Sequence, residues 1–510
     1  MRWRCTETPK SLIARGDRDA SPLPKPRLIV PEPDEQQAVN PYQRGVTEQA
    51  AETEPVWMRI ARRLSMDRAV GFAVLARFWQ LLTGPITQLL IVFCFNEIQQ
   101  GYYYAFMNLL AMQIFVELGL HVVIINVASH EWASLELSEG GITGDQENLS
   151  RLVSLGRTTV RWYAITAMLF VLVVTILGTL FLESLQKGDV EWSQISSWAA
   201  PWITLVFLTG AQLGLLPLTA ILEGCSQLPV VNRVRFWQGI IGSAVVWALM
   251  ATGCGLWALC GSAAVRLGGE CYLVTVRYRR FFEPFRQPPQ GATINWKEEI
   301  LPLQWRIAIQ GVFLWLASHL AGLVIMKYHG LAVSGRFGMM WTILVALQAA
   351  SLSWIETRRP KFGQLIAERK YQELDELFFR VSRVSVLLLA AGGTLFTMGV
   401  WLLNQVPHWA CIRISDRLPD AATTAVFSLA LIVFQFAQCS NIYVRAHKRD
   451  PFLLAAIISS STIALLVFWL GKQHGIWGVA IGYLFGVAVV QTPCWLVIWA
   501  TTRRRWHSEN

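Results

Sequence analysis

The sequence predicts an all-α, polytopic integral membrane protein with about twelve transmembrane helices in two pseudo-symmetric six-helix bundles. Three observations predict it. The 510 residues have a mean hydropathy of +0.40 and are 54% apolar but only 15% charged, against roughly 25% charged in a soluble domain. The apolar residues gather into stretches of about 20, the length of helix that crosses a ~30 Å hydrocarbon core. A late motif also recurs about 220 residues further on. A secreted, disordered or ordinary soluble chain is excluded.

Residues 1–56 carry Pro22, Pro24, Pro26, Pro31, Pro33 and Pro41, many charges and no apolar periodicity, so they cannot bury enough surface to offset ordering entropy and read as a disordered cytoplasmic tail. No apolar core follows Arg2 and Arg4, so no secretory leader is expected. Residues 57–69 set Trp57, Ile60, Ala61 and Leu64 against Arg59, Arg62 and Arg63, the pattern of a basic amphipathic helix on an anionic leaflet.

Twelve apolar spans follow, at 70–95, 102–128, 159–182, 200–222, 237–253, 257–276, 301–326, 331–355, 384–404, 421–444, 452–471 and 475–500. The first six make an N-terminal bundle over 70–287, and the rest a C-terminal bundle over 288–510 ending in a short basic tail. Of the 44 Lys and Arg residues, 27 fall on the side shared by both ends of the chain and six on the other. By the positive-inside rule both termini are cytoplasmic, and an even number of spans is required. That explanation of the basic face leaves it no nucleic-acid role. The basic loop at 356–383 reads as an amphipathic surface helix.

The halves repeat. Gly255 and Trp257 recur as Gly475 and Trp477 between the fifth and sixth span of each half; Gly101 and Gln113 correspond to Gly335 and Gln348, and Arg77 to Arg306. Six spans per half make these parallel repeats about an axis along the membrane normal, with a site expected between them.

Seven ionisable side chains fall well inside the spans: Arg77, Glu117, His121, Arg266, Glu270, Arg306 and His319. A charge at the bilayer centre costs on the order of 2.5–3.5 kcal/mol on insertion scales, so such residues face protein or water. All seven lie in spans 1, 2, 6 and 7, consistent with one wet, cationic space between the halves. Arg266 and Glu270, four apart, either neutralise each other or line that space. Glu117 and His121, also four apart, either hydrogen-bond for packing or couple transport to an ion. Arg77 and Arg306 either hold an anion or snorkel to headgroups, and His319 reads as a core histidine. Trp79, Tyr102, Tyr103, Tyr104, Trp305 and Trp315 either belong to an aromatic belt or stack on sugar rings. Gly84 and Pro85 interrupt the ladder of span 1 and mark an expected hinge. The nine cysteines show no metal or disulfide spacing, and no nucleotide-binding or hydrolase motif is present. Neither a metal nor a catalytic residue is expected, and the outer loops are too short for an enzymatic domain.

The stretches RFWQLLTGPITQLLI (77–91) and QGYYYAFMNLLAMQIFVELGLHVVIINVASHEWASL (100–135) resemble the prokaryotic polysaccharide or O-antigen flippases of the multidrug, oligosaccharidyl-lipid and polysaccharide exporter superfamily. The resemblance implies a V-shaped pair of bundles in the inner (cytoplasmic) membrane and alternating access. It also implies movement of a polyprenyl-pyrophosphate-linked oligosaccharide to the outer leaflet, for lipopolysaccharide O-antigen or other surface polysaccharide. By position the pyrophosphate falls to Arg77, Arg306 and Arg266, with Trp79 and Trp305 beside the glycan. Glu117, His121 and Glu270 are the coupling candidates for a proton or sodium gradient, with no cofactor. The expected partners are the lipid-linked oligosaccharide, membrane lipids and other polysaccharide assembly proteins. A drug or organic-cation antiporter of the same superfamily is the alternative. A membrane glycosyltransferase or polymerase ranks behind it.

Overall fold

Connections alternate between two ends of the molecule, and the turns at one of them carry the repeat. In a computed structural model, residues 68–138, 141–185, 192–405, 414–447 and 451–508 are described. The tail at 1–56 and all but the last two residues of the segment at 57–69 lie outside the described residues. The first half contains α1 (Arg68–Cys94), α2 (Glu97–Leu110), α3 (Ile114–Glu117), α4 (Leu120–Glu131), α5 (Gln146–Glu183), α6 (Trp192–Gly224), α7 (Leu228–Ala251) and α8 (Trp257–Tyr272). The second contains α9 (Leu301–His329), α10 (Leu331–Glu356), α11 (Arg359–Ala367), α12 (Tyr371–Gln405), α13 (Ala421–Ala446), α14 (Leu453–Phe485) and α15 (Thr492–Ser508).

Eight described helical runs are long and apolar enough to cross a membrane, and a ninth candidate is the pair on either side of Leu118–Gly119, bent by 45°. The expected twelve rods are reached because one of the eight, Leu453–Trp506, holds two. At Gly475 the backbone turns (φ 61°, ψ −141°), and beyond it Gly478, Gly482 and Gly486 pack onto Leu470, Leu466 and Ile463 in reverse order. That is an antiparallel hairpin with small residues at its seam, the contact that lets helices approach without a solvent-driven hydrophobic force. Helix α1 and α8, the latter extended by a π-helical turn at Leu273–Arg277, complete the count. Gly255 at the matching turn of the first half has φ 59°, a left-handed backbone that a Cβ disfavours. The repeated Gly-x-Trp thus marks the same turn twice.

Packing repeats as well. In the first half α1 lies on α7 and α5 on α6; in the second α9 lies on α14 and α12 on α13. Two buried cores form, one mostly in the first half around Tyr163, Trp198 and Trp202, the other around Phe378, Phe427 and Tyr443, which also takes in Ile91, Phe95 and Met250 of the first half.

Two expectations need correction. The loop at 129–158 contains a two-stranded hairpin, β1 (Leu135–Ser138) with β2 (Gly141–Gly144), and α5 starts at Gln146, capped by Asp145, thirteen residues before the expected span. The loop at 356–383 is not one surface helix. It is the short α11, burying Phe362 and Leu365, then a left-handed turn at Arg369 (φ 57°) and the first turns of α12. At Gly84 and Pro85 α1 is continuous, running from Arg68 to Cys94 through the proline. The broken helix is its neighbour.

Candidate functional site

The two halves are fastened at the end opposite the basic one. There α2 and α10 cross at the repeat-related glycines: a Cβ on Gly335 would sit 2.9 Å from the Gly101 amide nitrogen, and one on Gly101 would overlap the Leu331 carbonyl. Gln100, 1% exposed, donates through Nε2 to the carbonyls of Gly335 and Arg417, each at 3.1 Å. Arg417 donates to the Phe95 carbonyl, and Arg336 pairs with Glu97 at 3.1 Å. A little deeper, His319 Nδ1 lies 3.1 Å from Asn108 Oδ1 across the two halves and its ring stacks on Trp315, the core role expected of it.

Toward the basic end the fastening helices part. After Glu117, Leu118 (φ 45°, ψ 32°) and Gly119 (φ 70°, ψ 8°) are both left-handed; a bulky residue held there stores on the order of 1–3 kcal/mol. The break leaves helix-end carbonyls and amides in the middle of an apolar helical run, the arrangement with which transporters line a site. Beyond it α4 follows α6 of its own half, whereas α2 had followed α10. Ile307 of α9 fills the break, since a Cβ on Gly119 would overlap its Cγ2. The backbone of Arg306, the preceding residue, therefore stands beside the break. Gly119→Val, adding a β-branched side chain to a left-handed residue in contact, is expected to cost roughly 2–5 kcal/mol. It should visibly lower the melting temperature; a melt equal to the parent would place the break elsewhere.

Below the break, charged groups of α4, α6, α7 and α8 converge. Glu223, its side chain 10% exposed, accepts from Arg235 at 2.5 Å and lies 4.0 Å from His121 Nε2. Glu270 interacts with the charges of Arg235 and Arg266, and its Oε2 is buried with no hydrogen-bond partner among the described residues, as is Nδ1 of His121. Gln238 donates to the Arg266 carbonyl at 3.0 Å and Gln212 to the Ala263 carbonyl at 2.6 Å, bracing α8 where it carries these charges. Arg266 is exposed and acts electrostatically on Tyr103 of α2. The side chains of Arg77 and Arg306 lie outside those described. The backbone of Arg77 is two residues from Trp79, which packs on Trp247 with 6.4 Å between rings and reaches Gly239, one turn above Arg235.

Among the described residues no hydrogen bond or ion pair joins Glu117 to His121 across the break, and Glu117 lies close enough to Tyr163 of α5 for its charge to bear on that ring. Of the aromatics, Tyr102 stacks on Trp198 (5.7 Å, 9°), Tyr104 donates to Gln88 Oε1 at 2.6 Å, and Trp315 meets Phe115 edge-on at 4.7 Å. All three are buried and removed from the candidates for sugar stacking. Trp305, 44% exposed, and the half-buried Trp79 stay accessible. Glu223 and Arg235 were missed in the sequence, where span 5 was placed at 237. Pro229, in the first turn of α7, was the available signal for an earlier start. Arg235 lies seven residues into α7, roughly 10 Å along the helix from its start. Among the described residues no group of three or more His, Cys, Asp or Glu could hold a metal, and the seven described cysteines are free.

One strut crosses the basic end. Arg151 bridges Glu131 at the end of α4 (3.0 Å) and Glu299 just before α9 (2.5 Å). The Asn295 amide first, then Arg151, hold the Glu299 carboxyl below its usual range. A depressed carboxylate contributes stability above its unfolded value of about 4.3 and loses it as pH falls through the lower folded value. The strut is expected to hold at pH 5–8 and release in stronger acid. Arg151→Gln should cost about 1–3 kcal/mol, since it leaves the buried Glu131 carboxylate without this partner, and should flatten the acid limb of a pH–melting profile.

No protein-family model matches the chain, and no curated protein matches it in sequence. Solved structures do match. An inward-facing multidrug resistance MATE family transporter of the MOP superfamily superposes with a TM-score of 0.56 at 12% identity, over 82% of this chain and 99% of that one. The lipid II flippase MurJ in an inward closed conformation gives 0.53 at 13% identity, over 84% and 87%. An outward-facing multidrug resistance MATE family transporter gives 0.50 at 13%, over 86% and 96%. The likeness is one of fold.

Proposed function

We propose that this chain, on a fold shared with MATE transporters and MurJ, is a membrane transporter that carries a polyprenyl-pyrophosphate-linked oligosaccharide from the cytoplasmic to the outer leaflet by alternating access. The observation that carries the reading is the divergence of α2–α4 from α10 at Leu118–Gly119. It leaves α2 and α10 sealing one end and turns α4 away from α10 toward the basic end, where α9 of the other half meets α3 and α4, with arginines nearby. In this reading the basic end is cytoplasmic, the membrane is the inner one, and the glycan is destined for the cell surface. Arg77 and Arg306, repeat-related and on opposite halves, clamp the pyrophosphate together with Arg266, because a guanidinium fork matches phosphate bidentately and keeps its charge when desolvated. Trp79 and Trp305 flank the first sugars. Arg235 is held by Glu223 and serves to position Glu270.

Glu270 and His121, each with a buried polar atom lacking a partner, are the proton-exchange pair in this reading, and Glu117 borders the break they control. The same Glu270 oxygen favours a second reading, an organic-cation antiporter, in which a carboxylate attracts the substrate. Deleting the gene separates the two. Lipid-linked oligosaccharide accumulating in the cytoplasmic leaflet supports the flippase; normal surface glycan with heightened sensitivity to cationic dyes supports the antiporter.

A further inference from the structure

A second basic feature lies outside the parting between the halves. At the basic end, α5, α6 and the π-helical turn after α8 enclose a cavity of about 410 Å³. Its wall is apolar, with Val160 and Ala164 from α5, Leu218 from α6 and Val274 from the π-turn; its rim is four arginines, Arg157, Arg161, Arg279 and Arg286. One of the four is committed to the fold. Arg157 donates to the carbonyls of Phe285 (3.3 Å) and Arg286 (2.9 Å), tying the segment after α8 down onto α5, where Gly156 makes room for the Phe285 ring. Arg161, Arg279 and Arg286 are exposed and pair with no carboxylate among the described residues.

The depth of the cavity matches a bilayer interface. Arg157 and Arg161 are one turn apart on α5 where its apolar stretch begins, and Ala164 is a turn deeper. A π-turn fits an extra residue into its loop, widens the helix and opens its flank, and such turns recur at functional sites. Three guanidiniums with no carboxylate partner among the described residues, above an apolar slot, complement one class of molecule, an amphiphile with a phosphate head and an acyl tail.

The geometry points to a binding site for an anionic glycerophospholipid of the leaflet at the basic end, its phosphate on Arg161, Arg279 and Arg286 and an acyl chain along Val160, Ala164 and Leu218. The site is independent of the transported substrate. Because α8 also bears Arg266 and Glu270, a bound lipid fixes the end of the helix that carries them.

Purified full-length protein in a neutral detergent is melted with increasing cardiolipin or phosphatidylglycerol, with phosphatidylcholine, and with inorganic phosphate. A saturable rise in melting temperature with the anionic lipids alone is expected. The triple variant Arg161→Gln/Arg279→Gln/Arg286→Gln should weaken it at least tenfold. Ala164→Phe, which fills the slot and keeps every arginine, should weaken it as well and keeps the test open if the triple variant fails to fold. A control, Arg358→Gln/Arg359→Gln, removes charge elsewhere on the same face and should leave binding intact. Equal stabilisation by inorganic phosphate, unaltered binding in Ala164→Phe, or the same loss in the control would each overturn the site.

Discussion

Export of the lipid-linked saccharide is expected to fall at least ~100-fold when Arg77→Ala and Arg306→Ala are combined, while the protein still reaches the membrane. A hydrogen bond to a charged group contributes roughly 1.5–3 kcal/mol net. Losing one from each half removes roughly 3–6 kcal/mol, and every 1.4 kcal/mol is tenfold. Insertion should not suffer, because each arginine removed spares the cost of a charge in the bilayer. Lysine at both positions keeps the charge and loses the fork, so an intermediate defect is expected. The measurement is surface glycan per unit of membrane-inserted protein. Full export in the double alanine variant would remove both residues from the site.

The second large effect concerns the seal. Leucine at Gly101 would drive a side chain into the Leu331 carbonyl, backbone that cannot yield as a side-chain tip can. Overpacking of this kind costs about 1–3 kcal/mol, and here it falls on the closed arrangement of α2 against α10 alone. The equilibrium is expected to shift about 5- to 150-fold toward a state open at that end. Ser334, 1% exposed beside the crossing, reports it: in a chain otherwise free of cysteine, Ser334→Cys should react with an impermeant maleimide at least tenfold faster when Gly101→Leu is present. Transport should be lost, since a carrier held in one state does not cycle. Unchanged labelling together with normal transport would mean that the glycine crossing is no gate.

These expectations rest on features of unequal visibility in the sequence. The rods, their alternation and the repeat were legible, because hydropathy and turn glycines are local properties: Gly255 and Gly475 announce the same turn by identity alone. The break at Leu118–Gly119 was not. Leu-Gly-Leu is as apolar as any helix interior, and a left-handed leucine leaves no mark in composition. Gly84 and Pro85 carry the stronger signal in composition, yet there the helix runs on through the proline. Arg235 and Glu223 were hidden by a boundary error, since basic residues near a span edge are absorbed into the positive-inside pattern. The aromatic run Tyr102–Tyr104 looked like a binding surface because tyrosine is amphipathic. Only its neighbours, Trp198 and Gln88, disclose that two of the three rings are packing.

In the proposed function the arginines between the two halves carry a pyrophosphate-linked lipid and not an organic cation. Purified protein reconstituted into liposomes with a fluorescent polyprenyl-pyrophosphate oligosaccharide tests it most directly, by the fraction of label reached by an external quencher over time. The account predicts that label placed in one leaflet equilibrates in the presence of the protein and not in the presence of the Arg77→Ala/Arg306→Ala variant. Label that stays in its leaflet, while the same liposomes take up an organic cation against a proton gradient, would contradict it.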